Sequence, residues 1–144
     1  MANSYQIIDE KAWERAMHCA VFRNSVEPAF CVTFEADITN FRLMVKEEGL
    51  SFTLAMLYAV CKCANHIEAF RKRCFPMPWV TYTHISHTNS GKKDNATPLF
   101  DWGKYYEKDG RIMIPISVQA HHSFVDGVHI GQFVEELKRL LNEC

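Results

Sequence analysis

The 144-residue chain has no surplus of charge of either sign, since 16 Lys and Arg stand against 17 Asp and Glu, and no basic block is longer than Arg71-Lys72-Arg73. Binding a polyanion needs clustered cations, which argues against nucleic acid or an anionic membrane surface as the main partner. No uncharged apolar run reaches the roughly 20 residues of a membrane span, and there is no internal repeat or low-complexity tract. The N-terminal residues are charged throughout and hold no apolar signal core. That predicts a cytoplasmic protein whose six cysteines are reduced thiols rather than disulfides. CxxC pairs are missing as well: Cys61 and Cys63 are two apart with no second pair. A zinc site there gives way to small hydrophobes on a helix.

What is there fits one domain, with a length and an apolar content of 48% sufficient for a single core. YQII at 5–8 reads as a short strand, and Asp9 as the N-cap of a helix over 10–17 carrying Trp13 and Arg15. AFCVTFEAD at 29–37 alternates as a strand does. Asp37 and Thr39 open a helix through Glu48, closed by Gly49, and Ser51 caps a helix over 52–70. The first half of that helix is apolar on every side, which predicts full burial. Two prolines at 76 and 78 then forbid helix, and 79–85 is β-branched and aromatic enough for a strand. SHTNSGKKDNAT at 86–97 is a loop or hairpin tip. PLFDWGKYY at 98–106 is aromatic-rich, Lys108-Asp109-Gly110 is a turn, and 111–120 places Ile112, Ile114, Ile116, Val118 and Ala120 on one strand face. From His129, the spacing of Ile130, Phe133, Val134, Leu137, Leu140 and Leu141 predicts an amphipathic closing helix. The order β-α-β-α-α-β-β-β-α implies an α/β (α+β) domain: a mixed sheet with helices packed on one face.

The densest chemistry is QAHHSFVDGVH at 119–129, which crosses from the last strand to the last helix. Transfer of an acyl group to a hydroxyl requires a base of near-neutral pKa at the attacking oxygen, and histidine, at roughly 6.5 unperturbed, suits it. His122 is the candidate base. His121, on the opposite face by alternation, reads as structural. A metal constellation of His122, Asp126 and His129 is the competing reading, weakened by the lack of a further acidic or cysteine ligand nearby.

RIMIPISVQAHHSFVDGVHIGQFVEEL at 111–137 resembles the C-terminal segment of chloramphenicol acetyltransferases, with their paired histidine, three residues and Asp-Gly. PMPW at 76–79, WGKYYEKDGR at 102–111, and W-x-R at 13–15 followed by VFRN at 21–24 resemble the same family in the same order. The resemblance implies a CoA-dependent acyltransferase-like two-layer sandwich. It also implies acetyl-CoA as co-substrate with no metal, chloramphenicol or a similar hydroxylated acceptor, a role in antibiotic resistance, and a homotrimer with active sites between subunits.

Residue by residue, the resemblance makes His122 the base and has Asp126 pair with Arg15 to hold the loop in shape. It places Trp79, Lys104 and Tyr105 along the CoA tunnel. Phe22 falls on an acceptor-pocket position, with Cys31 and Asp101 near others. Two departures stand out. Family members run through further strands and a helix between the long helix and the PW segment, whereas here Phe70 is followed almost at once by Cys74. The resemblance therefore implies one domain over 1–144, internally shortened near 73–75. Phe75 also stands where the family has the serine that stabilises the oxyanion. An impaired trimeric binding or scaffold protein is the alternative to an active enzyme.

Overall fold

The computed structural model of the chain describes residues 9, 11–70, 73–87 and 97–144, with Arg73 and Phe75 as backbone alone. The expected strand at 5–8 and the tip of the loop at 88–96 lie outside the described residues. The elements are α1 (Ala16–Phe22), β1 (Ala29–Asp37), α2 (Thr39–Glu47), α3 (Phe52–Asn65), β2 (Arg73–Pro76), β3 (Leu99–Trp102), β4 (Tyr106–Lys108), β5 (Arg111–His121) and α4 (Gly127–Asn142).

β5 is the centre of the sheet. It pairs antiparallel with β1 from Ala29↔His121 to Asp37↔Met113, with β3 from Leu99↔Gln119 to Trp102↔Ile116, and with β4. β2 adds to the far side of β3 in parallel, so the sheet is mixed, as expected. The apolar face of β5 works as its alternation predicts: Ile114, Ile116, Val118 and Ala120 are buried. They pack with Ala36, Phe100 and Trp102 of the neighbouring strands against Phe41 and Val45 of α2, Met56 and Val60 of α3, and Phe133 and Leu137 of α4. Helices α2 to α4 thus cover one face and enclose the core.

Local chemistry explains several boundaries. Asp37 Oδ1 accepts from the Thr39 N–H and hydroxyl at 2.9 and 2.6 Å, which starts α2. Gly49 ends it at φ 64, with Leu50 N–H bonded to Val45 O and Gly49 N–H to Lys46 O, the paired bonds of a Schellman motif. Asp109 and Gly110, at φ 52 and 74, make the two-residue turn between β4 and β5.

Four expectations are corrected. The first helix starts at Ala16 rather than at residue 10: Asp9 Oδ1 accepts from the Lys11 N–H, residues 11–15 form turns, and Arg15 is anchored to distant groups just ahead of the helix. The strand expected at 79–85 does not form. β3 already has β5 on one side and β2 on the other, so this segment leaves the sheet and crosses over it, held by single bonds such as Met77 N–H to Trp102 O and His87 N–H to Gln119 Oε1. The pairing strand is instead β2, at 73–76. Helix α3 ends at Asn65 rather than at residue 70, and Ser51 makes no side-chain cap bond. Nor is α3 buried all round: it seats Met56, Ala59, Val60, Cys63 and Ala64 in the core but leaves Leu54 and Tyr58 each 66% exposed, because α2 and α4 cover only its inner side. All six cysteines are free thiols, and burial pushes the Cys63 thiol up to about 11.

Candidate active site

β5 delivers the paired histidines at its end, and α4 begins at once. His122 N–H donates to Pro28 O at 2.8 Å, which ties the strand end to the residue preceding β1. The imidazole of His122 lies flat on Phe22, with ring centroids 4.1 Å apart and planes 3° from parallel, and tilts against Phe30 at 4.8 Å. His122 Nδ1 is buried without a hydrogen-bond partner. His121 turns the other way, toward Phe124, and its Nδ1 accepts from Ser123 N–H at 3.2 Å.

Asp126 has two duties. Its Oδ2 takes Arg15 Nη1 at 2.5 Å, while Arg15 Nη2 reaches the His122 carbonyl oxygen at 3.4 Å, so one guanidinium grips both ends of the loop. Its Oδ1 accepts from Val128 N–H at 3.1 Å as the N-cap of α4. His129 completes the cap, with Nδ1 lying 3.2 Å from the Asp126 N–H and 3.0 Å from Oδ1. Partial burial pushes the Asp126 carboxyl up, but the Arg15 hydrogen bond and the charges of His129 and Arg15 outweigh it and bring it down to about 2. The capping role was missed in the sequence, though Asp-x-x-His at a helix start carries the signal of a capping box with histidine in the third position. With its oxygens committed in this way, Asp126 supports the loop and leaves the metal reading without its carboxylate. Among the described residues no group of three or more His, Cys, Asp or Glu is placed to hold a metal ion.

Trp79 is 81% exposed, so a core role is excluded. Lys104 lies beside its segment: Lys104 N–H donates to Val80 O at 2.7 Å, and Thr81 Oγ1 donates to Lys104 O at 2.7 Å. Tyr105 meets Phe52 edge-on at 5.5 Å, with the Arg42 guanidinium 5.1 Å over its ring. Arg42 gives no sequence signal of belonging here. The expected CoA residues are thus all exposed, with Lys104 bonded through its backbone to the segment that follows Trp79 and Tyr105 set against α2 and α3.

Cys31 and Asp101 sit elsewhere. Cys31 follows Phe30 on β1 and so faces away from the helices, where its thiol donates to Ile85 O at 3.0 Å. Asp101 is on the same face, buried, with Oδ2 at 2.6 Å from His87 Nε2. Within one chain the geometry brings Arg15, Phe22, His122 and Asp126 together and holds Cys31 and Asp101 on the other face of the sheet. Phe75 is in register with Asp101. His87, Tyr82 and Ser117 around Asp101 were missed, although the alternation of β5 makes Ser117 and Gln119 its second face.

The family model described as chloramphenicol acetyltransferase matches residues 3–76 and 73–138. The chain belongs to the chloramphenicol acetyltransferase family. Among its relatives, the chloramphenicol acetyltransferase of Streptomyces acrimycini is 38% identical, with 93% of this chain and 93% of that protein covered. Chloramphenicol acetyltransferase 2 of Haemophilus influenzae is 22% identical over 92% of this chain and 95% of its own. That alignment runs over 202 positions, more than the 144 residues here, so the relative carries residues with no counterpart in this chain. A solved structure of a chloramphenicol acetyltransferase superposes with a TM-score of 0.90 at 26% identity, covering 97% of this chain and all of the other. A dihydrolipoamide acetyltransferase of Azotobacter vinelandii, 13% identical with a TM-score of 0.61, covers 88% of this chain and 86% of its own and shares the fold.

Proposed function

We propose that this member of the family is a CoA-dependent O-acetyltransferase in which His122 is the general base. The imidazole takes the proton of an acceptor hydroxyl as its oxygen bonds to the thioester carbonyl of acetyl-CoA. The tetrahedral intermediate then collapses, the C–S bond breaks, and the departing CoA sulfur takes the proton back from His122. The observation that carries this reading is the grip of Arg15 on Asp126 and on the His122 carbonyl, which fixes the backbone of the base while Phe22 fixes its ring. Asp126 and Arg15 hold position and transfer no proton.

Trp79, Lys104 and Tyr105 are assigned to acetyl-CoA, whose adenine and phosphates suit an aromatic and cationic patch. Phe22, Cys31 and Asp101 are assigned to the acceptor, which we take to be chloramphenicol or a similar hydroxylated molecule. The separation of His122 from Cys31 and Asp101 across the sheet supports a homotrimer in which one subunit supplies the base and its neighbour most of the acceptor pocket. We further read the chain as one cytoplasmic domain, internally shortened near 73–75, that confers chloramphenicol resistance. The meeting of the two matched segments at 73–76 supports the shortening. β2 is the outermost strand on its side, so a block lost ahead of it leaves the β1–β5–β3 ladders intact.

One observation favours a second reading, an impaired trimeric binding or scaffold protein: Phe75 stands at the family's oxyanion serine and cannot donate a hydrogen bond. A thiol-release assay with acetyl-CoA and chloramphenicol separates the two. Turnover abolished by His122→Ala supports the enzyme. Binding of CoA without turnover supports the scaffold.

A further inference from the structure

Helix α3 has two apolar sides. Met56, Ala59, Val60, Cys63 and Ala64 face the core, while Leu54, Leu57, Tyr58 and Cys61 recur at steps of three and four within a stripe of about 100° on the opposite side. Leu54 and Tyr58 are each 66% exposed and Leu57 36%, and Cys61 is half-buried. Lys62, the only charge on the helix, borders the stripe with Nζ 5.9 Å over the Tyr58 ring. Apolar residues at this spacing are what one helix presents to another, as in the seam of a coiled coil. Water alone gives no cause for them.

The chain itself offers little to cover this seam. α3 packs on α2 and α4 with its inner side. The two segments matched by the family model meet at 73–76, a short way past its end, and the Haemophilus influenzae relative, aligned over 202 positions, carries residues that this chain lacks. The seam is, however, complementary to itself. Leu54 and Cys61 stand equally far on either side of the Leu57–Tyr58 step. A second copy related by a two-fold axis at that step, with its helix antiparallel, sets Leu54 against the partner's Cys61, large against small. Leu57 and Tyr58 then meet their own counterparts. Charge agrees with this direction. Antiparallel pairing sets Lys62 beside the partner's uncharged Thr53 and keeps the two lysines about 13 Å apart along the axis, beyond the roughly 8 Å Debye length. Parallel pairing puts lysine beside lysine. One lysine is too little to draw an acidic partner, which leaves a copy of the same neutral seam as the occupant that fits.

We propose that the outer face of α3 is a two-fold contact between copies of this chain, helix against antiparallel helix. The three exposed side chains give on the order of 300 Å² of mostly apolar surface per copy, so with its rim the contact falls in the small class below about 1,200 Å² in total. Its pairing is therefore reversible. It is separate from the three-fold contact proposed for the acceptor pocket, and it joins either two monomers or two trimers.

Sedimentation-equilibrium ultracentrifugation of the full chain tests it. The mass should double between about 1 and 500 μM, from one chain to two or from three to six. Leu54→Glu and Tyr58→Glu each place a charge in the seam and should weaken the doubling at least about tenfold. Both positions are exposed in the single chain, so circular dichroism should not change. Leu54→Cys, oxidised with copper phenanthroline, should form a covalent dimer whose linking peptide joins positions 54 and 61. Adding Cys61→Ala should remove it, and Val26→Cys, an exposed position outside α3, should not yield such a dimer. No doubling up to about 500 μM, or a doubling that both glutamate variants leave intact, overturns the proposal. A 54–54 link in place of 54–61 overturns the antiparallel arrangement. Should a glutamate variant fail to fold, the link decides. A trimer that does not double overturns this contact and leaves the acetyl-transfer reading standing.

Discussion

Phe22 and His122 stack as parallel rings 4.1 Å apart, joining the end of α1 to the end of β5. Such a contact is worth about 0.5–1.5 kcal/mol beyond the area it buries. In the proposed mechanism the imidazole is the base, and its rotamer is what the contact holds. Phe22→Ala should lower kcat/KM about 3- to 10-fold in the thiol-release assay. Phe22→Tyr, which keeps the ring, should recover most of the loss.

In the proposed mechanism Arg15 is a positioning residue, and removing it strands a partly buried carboxylate. Arg15→Ala should destabilise the fold by about 2 kcal/mol in urea titrations, within the range for charge-assisted hydrogen bonds. Activity should fall further than folding alone explains, with kcat reduced more than KM for acetyl-CoA. Arg15→Lys keeps the charge but cannot reach Asp126 and the His122 carbonyl together, so it should rescue stability better than kcat.

The acid response follows from Asp126, held at about 2 against an ordinary 3.8. A carboxyl lowered in the folded chain adds stability that is complete above the ordinary value. That stability is lost as pH falls from about 4 through about 2. The gap in urea midpoint between the parent chain and Asp126→Asn should therefore be constant at about pH 5 and above, and narrow toward about pH 3. A gap that widens on acidification would refute the assignment.

Gly103 is where the crossing segment meets β5. A Cβ there would lie 2.6 Å from Val80 O and 3.0 Å from Pro115 Cγ and Tyr82 Cε1. The backbone oxygen cannot swing aside as a flexible side chain can, so Gly103→Ala should cost about 1–3 kcal/mol, read as a lowered thermal midpoint. It should also disturb Lys104, which is tied to Val80.

Trp79 makes the opposite case. Its 81% exposure means that Trp79→Ala should change stability by no more than about 0.5 kcal/mol. An aromatic kept in water for a ligand has its effect elsewhere: the KM for acetyl-CoA should rise severalfold with the substitution.

The period-two pattern of β5 and the glycine turns were legible in the sequence. The apolar face of β5, the Asp109-Gly110 turn, the Gly49 cap and the stripe of α4 are set by neighbours along the chain, and they form as read. The pairing of Arg15 with Asp126 was legible only through the family resemblance, since nothing local to Arg15 announces a partner 111 positions away. The course of 77–87 was not legible. Its composition suits a strand, but whether a strand forms depends on a free edge, and β2 had already taken the edge of β3. The pair His87–Asp101 was hidden for the same reason, because the crossing of the sheet brings those residues together. The exposed stripe of α3 shows the limit of composition, which counts apolar residues but not the helices available to cover them.

The placement of β5 in the middle of the sheet also governs the order in which the chain can fold as it is made. β1 emerges before β5, yet among the described residues every partner it has in the sheet lies between Met113 and His121. Until those residues appear, Phe30, Val32 and Phe34 have no ladder to join, β4 has none either, and β3 has only β2. The sheet, and with it the loop gripped by Arg15, therefore assembles only once β5 has been made. Until then the unpaired backbone of β1 must be kept from aggregating.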